Sequence, residues 1–162
     1  MIILTIPFYI SYLLFSGSFL PFDLILGLIT SAFISAMVSS ILVKNTRKLL
    51  EVWRWLWVIF YIFYYSLVAE VKAHTDVIMR ILHPSMPIKP GIVRVPYRLD
   101  TEYSTVLVAD SITNTPGTLV VDLNEKRKIF YVHWINVKSQ EESITSKEIS
   151  EPFSRFAKKI FD

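Results

Sequence analysis

Residues 2–43 carry a single charged side chain, Asp23, in an apolar run about as long as two membrane crossings of ~20 residues each. The run breaks at Ser16-Gly17-Ser18-Phe19-Leu20-Pro21-Phe22-Asp23, a cluster of turn formers, and so predicts two apolar segments over 2–18 and 22–43. The first is short for a full crossing and suits a tilted or thinned passage. No basic n-region precedes it, and no small-residue cleavage motif separates it from the second, so the pattern reads as an anchor rather than a signal peptide. In the second segment Gly27, Ser31, Ser35 and Ser39 recur every fourth residue and share one helix face. In lipid such a face lets another helix approach closely, so it is expected to pack against a helix of a partner.

A third apolar segment, 49–71, is crowded with aromatics, among them Trp53, Trp55, Trp57, Tyr61, Tyr64 and Tyr65. Trp and Tyr favour the membrane interface over its centre. Glu51 and Arg54 stand at one end and Glu70 and Lys72 at the other, and the uncharged stretch between is short for a perpendicular span. Two readings follow: a third transmembrane helix, or a tilted or interfacial one. An amphipathic extension carries Val71, Thr75, Ile78 and Leu82 on one face. Basic residues flank the segment on both sides, Lys44, Arg47 and Lys48 before it and Lys72, Arg80, Lys89, Arg94 and Arg98 after it. The positive-inside rule places both clusters in the cytoplasm, which a hairpin followed by an interfacial helix satisfies and three crossings do not. Either way the C-terminal part is expected in the cytoplasm.

Pro84, Pro87 and Pro90 end the helical pattern and stiffen a linker over 84–91. Residues 92–99 alternate until Pro96, which marks an edge strand or a strand end. Asp100, Thr101 or Ser104 is positioned to cap a helix running to about Thr113. Thr115-Pro116-Gly117 then predicts a tight turn with Gly117 at positive φ. Two strands follow, joined by Asn124-Glu125-Lys126-Arg127. Leu119, Val121 and Leu123 share one face of the first. Ile129, Tyr131 and His133 oppose Phe130, Val132 and Trp134 in the second. Ile149, Phe153, Phe156, Ala157 and Ile160 form the apolar face of a last helix. Thr145 with Glu148 fits a capping box, and Ser150 before Glu151-Pro152 is the preferred start. The fold class is an α+β membrane protein: an anchor of two or three transmembrane or interfacial helices over 1–83, then a small β-α-β-β-α domain over 92–162 with its helices on one face of the sheet.

Composition sharpens this division. The 162 residues are 52% hydrophobic with mean hydropathy +0.44, too apolar for an ordinary soluble domain, and the charges collect in the second half. With net charge +3 and basic residues beside apolar segments, anionic lipid is a more natural partner than nucleic acid. The absence of cysteine excludes disulfides and thiolate chemistry. His74, His83 and His133 lie on different elements without ligand spacing, so no metal is expected. Ser111 with Asp110 or Asp122 and His133 matches no nucleophile motif. Asp23, at the turn, is the one ionisable group within the first two segments, which leaves no proton or cation relay in this chain. No catalytic residue and no cofactor are expected.

Ser111-Ile112-Thr113-Asn114-Thr115-Pro116-Gly117-Thr118, then Val121-Asp122 and Tyr131-Val132-His133-Trp134, resemble the signature of the MnhE family of Mrp-type multisubunit Na⁺/H⁺ antiporters. The likeness runs through the whole chain and departs from the family pattern at Asp110 and Asn114. It implies a plasma-membrane complex exchanging Na⁺ or K⁺ for H⁺, with this chain a non-catalytic accessory subunit that supports assembly and stability. Its partners would be large subunits similar to those of respiratory complex I, small membrane subunits, and lipid. The motif residues Ser111, Ile112, Thr113, Thr115, Pro116, Gly117, Thr118, His133 and Trp134 would then be structural. The alternative is a membrane-anchored binding or regulatory domain outside any transporter.

Overall fold

The computed structural model describes residues 2–42, 48 and 50–162. Lys44 and Arg47 of the expected basic loop, and Val43 and Leu49 at the ends of two expected segments, lie outside the described residues. The chain forms two compact units, Met1–Glu51 and Val52–Asp162.

The first unit is a helical hairpin of α1 (Ile2–Ser16) and α2 (Pro21–Leu42). The Gly17 N–H donates to the Leu13 carbonyl at 3.1 Å and closes α1. Asp23 sits in the first turn of α2, where a carboxylate complements the positive helix end, and accepts from the Ser18 hydroxyl. Its charge thus serves the turn. The 22 residues of α2 give ~33 Å, enough for a hydrocarbon core of ~30 Å, whereas the 15 of α1 give ~22 Å. Gly27, Ser31 and Ser35 are buried within this hairpin, and a Cβ at Gly27 would overlap the ring of Tyr12. The close approach expected of the small-residue face is therefore made by the chain's own first helix, with Ser39 partly exposed beyond it. The stripe specifies a close neighbour but not which one, and the short turn brings α1 there first.

The second unit opens with a continuous helix over Val52–Leu82. It consists of α3 (Val52–Tyr64), one π-helical turn (Tyr65–Ala69) and α4 (Glu70–Leu82). Then come β1 (Gly91–Pro96), α5 (Glu102–Asn114), β2 (Thr118–Asn124) and β3 (Ile129–Trp134). A short α6 (Glu142–Thr145), a second π-helical turn (Ser146–Ser150) and α7 (Glu151–Phe161) finish the chain. The sheet is antiparallel in the order β1-β3-β2. The proline linker is tied to it: Lys89 N–H donates to Ile135 O at 3.1 Å and Val137 N–H to Lys89 O at 2.9 Å.

Strand alternation turns Val93, Val95, Phe130, Val132 and Trp134 into the core, where they meet Val108 and Ile112 of α5 and Phe153 and Ala157 of α7. Of the three candidate caps for α5, Thr101 takes the role, its hydroxyl accepting from Ser104 N–H at 3.2 Å. Two expectations are overturned. A β-bulge between Val120 and Asp122 breaks the alternation of β2, so Val120 and Leu123 pack against the core while Leu119 and Val121 stay half exposed. Nor does Ser150 or Thr145 cap the last helix. Helical backbone already runs through both, Ser150 lacks a side-chain cap bond, and the Thr145 hydroxyl donates to Arg94 O at 2.6 Å. Pro152, with no N–H to give, is accommodated just after the wide turn rather than at a fresh start.

Candidate functional site at a helix stop and an aromatic seam

The residues singled out by the sequence meet at the C-terminal end of α5. A helix end leaves its last carbonyls without intrahelical donors. Here threonines supply them. Thr115 donates to Ser111 O through both its N–H (3.2 Å) and its hydroxyl (2.6 Å). The Thr118 hydroxyl donates to Ile112 O at 2.7 Å, and Thr113 Oγ1 accepts from Val120 N–H at 3.3 Å. Pro116 cannot continue the helix, Gly117 takes φ +93°, and Thr118 N–H returns to Thr115 O at 3.3 Å. Gly117 O then accepts from Ile135 N–H at 2.8 Å, locking the turn to the residue after β3. Ile112 is fully buried and Trp134 lies in the core.

The long helix of this unit docks on the same place. Ser111 is buried, its hydroxyl shared between Leu107 O and the hydroxyl of Tyr61. Asn114, a departure from the family pattern, donates from Nδ2 to Tyr65 OH at 2.9 Å. The ring of Phe156 lies 5.0–6.1 Å from those of Trp57, Tyr61 and Tyr64, and Arg54 donates to Ile160 O at 2.9 Å. Lys159 Nζ stands 3.6 Å above the Trp57 ring. A stripe with four-residue spacing drifts around a helix of 3.6 residues per turn, and the wide turn at Tyr65–Ala69 takes up that drift. Arg54, Trp57, Tyr61, Tyr65, Ala69 and Val77 thus all reach the α/β fold. At the far end Arg80 holds the linker, donating to Pro87 O at 2.7 Å and to Asp76 at 2.8 and 2.9 Å.

His133 lies on the outer face of β3, opposite Ile92 and Leu119, and not beside Ser111. No nucleophile–base pair is therefore assembled from those two. Among the described residues no group of three or more His, Asp or Glu is placed to hold a metal ion. One carboxylate the sequence did not single out is Asp162, which accepts from the N–H groups of Asp100 and Thr101 at 3.1 Å and from the Thr101 hydroxyl at 2.8 Å. Burial pushes its carboxyl up, but these donors and Ser104 outweigh that and hold it below the ordinary carboxylate range. Stability from such a group is present above its unfolded value and lost as pH falls through the lowered folded one. Asp162→Ala should cost about 1–3 kcal/mol at neutral pH. The cost should shrink on acidification, as measured by thermal melts followed through near-UV circular dichroism.

The aromatic seam and the helix stop form one fixed assembly, with their hydroxyls turned on backbone or on each other. Compared with known proteins, residues 5–160 match the model of the MnhE family, described as a Na⁺/H⁺ ion antiporter subunit. This chain belongs to that family. The MnhE-type Na⁺/H⁺ antiporter subunit of Alkalihalophilus pseudofirmus is 30% identical over 95% of this chain and 93% of its own. Its E1-type counterpart in Staphylococcus epidermidis is 29% identical over 82% and 80%. A chain of the membrane-bound sulfane sulfur reductase, an archaeal respiratory membrane complex, superposes with a TM-score of 0.79 at 33% identity, covering 98% of this chain and 96% of that one. The MnhE chain is therefore a membrane antiporter subunit, and the partners implied by its motif are other subunits.

Proposed function

We propose that this MnhE chain is a non-catalytic accessory subunit that supports assembly and stability of a multisubunit cation/proton antiporter in the plasma membrane. Its α1–α2 hairpin would pass through the bilayer and its C-terminal domain would face the cytoplasm. One observation carries the reading: the motif hydroxyls of Ser111, Thr113, Thr115 and Thr118 are all engaged with backbone or with Tyr61, so the signature holds a fold together. Transport needs paired ionisable groups within the bilayer, and Asp23 is tied to its turn by Ser18. Reconstituted alone in proteoliposomes with an internal pH dye, the chain should give no Na⁺- or K⁺-dependent proton flux above empty vesicles. Pulled down in detergent, it should bring large polytopic subunits with it. Flux from the lone chain would overturn the accessory role, and the absence of such subunits would favour a free-standing regulatory domain.

The 33% identity to a chain of a respiratory complex favours a second reading, in which the same accessory role serves a redox-driven assembly. Mass spectrometry of the pull-down distinguishes the two, because only the second brings down reductase subunits.

A further inference from the structure

We infer that the Val52–Leu82 helix lies flat in the membrane surface instead of crossing it, with its outward face seated among anionic lipids and the α/β fold riding on its other face. The inference rests on the reading of this chain as a membrane subunit, and three observations carry it.

The first is length. The helix meets the α/β fold from Arg54, bonded to Ile160 O, to Val77, 3.5 Å from where a Cβ on Gly117 would sit. Those positions are ~35 Å apart along the axis, more than the ~30 Å hydrocarbon core. A crossing helix covered over that distance would drag the fold into the bilayer. The fold carries exposed Arg155, Lys158, Lys159 and Glu151 on the helix that packs against it. A helix in the surface plane meets no such conflict.

The second is the position of the charges. Glu70 falls near the middle of the 31-residue helix, and its Oε1 has no partner among the described residues. At the bilayer centre a carboxylate oxygen without a partner is among the costliest groups to place, while at the surface water satisfies it. Lys72 and Asp76, further along the helix, are also exposed.

The third is the chemistry of the outward side. Leu56, Ile59, Phe63, Leu67, Val71 and Ile78 are all exposed and lie opposite the docked stripe. Along the flank runs an open groove of about 290 Å³, floored by Trp57, Tyr64 and Phe156 and edged by Arg155 and Lys159. An apolar face bordered by aromatic rings and then by cations matches acyl chain, interface and phosphate in turn.

Since the chain has no cysteine, single thiols report cleanly. Leu50→Cys and Ser85→Cys flank the helix, with His83→Cys as a second probe of the far end. In whole cells carrying the complete antiporter, both ends should be modified by an impermeant maleimide only after permeabilisation. Opposite sidedness of the two ends would overturn the in-plane helix. Both ends labelled in intact cells would keep it and overturn only the cytoplasmic reading. Spin labels at Phe63→Cys and Leu67→Cys, in the complex reconstituted into bilayers containing phosphatidylglycerol, decide what covers the face. Shallow immersion, with oxygen collisions exceeding those of a water-soluble nickel chelate, is expected. Shielding from both relaxants would mean that a helix of another subunit covers the face, and would overturn the lipid assignment.

Discussion

Gly117→Val should leave little folded C-terminal domain and correspondingly little assembled complex. At φ +93° a β-branched residue is strained by roughly 1–3 kcal/mol. The new Cβ would also stand 3.0 Å from Ile135 Cγ2, and valine's further methyls meet an occupied site, adding overpacking of ~1–3 kcal/mol. Against a domain stability of about 5–15 kcal/mol the two together take a large part of the margin. The Gly117 carbonyl that receives Ile135 N–H would be displaced as well. Quantifying the complex by blue-native gel from membranes checks this. His133→Gln is the companion variant: on the half-exposed outer face it should leave both complex and antiport near normal. Loss of antiport there at normal complex levels would contradict the structural role given to His133.

Gly27→Val should separate α1 from α2. Its Cβ would overlap the Tyr12 ring, which cannot move aside without giving up its place against α2. The buried Ser31 and Ser35 would lose their cover along with it. Inserting methyl groups into a packed contact typically costs ~1–3 kcal/mol, a large fraction of what holds one pair of helices in lipid. The variant should be degraded in cells, as immunoblots of membranes would report. Adding Tyr12→Ala should restore part of the level by making room. If the double variant is as poor as the single one, the helices do not meet through this pair.

What could be read from the residues alone divides along physical lines. The two N-terminal segments, the strand pair and the stop at Pro116-Gly117 are written in local chemistry, in apolar run length, alternation and the needs of φ. The small-residue stripe announced a close helix contact, but only packing identifies α1 as the helix that makes it. The aromatic segment was ambiguous because Trp57, Tyr61 and Tyr65 suit lipid and protein equally well. Their partners Ser111, Asn114 and Phe156 are distant in the chain, and no periodicity links them. The bulge in β2 defeats simple alternation for a related reason: one extra residue changes every face after it without changing composition.

The seam between the long helix and α7 also sets an order of events during synthesis. Tyr61 leaves the ribosome long before Phe156, which stacks on it with centroids 5.6 Å apart. At ~5–20 residues per second the interval is roughly 5–20 s, far longer than a helix needs to form. For that time Trp57, Tyr61 and Tyr64 have no protein cover, and a nascent chain in water with such a face is prone to aggregate. The hairpin ahead of it will already have delivered the ribosome to the membrane. The bilayer surface can then hold the helix until the last residues arrive to roof it over, so a chain truncated before Phe153 should stay membrane-bound but keep its aromatic face open to proteases.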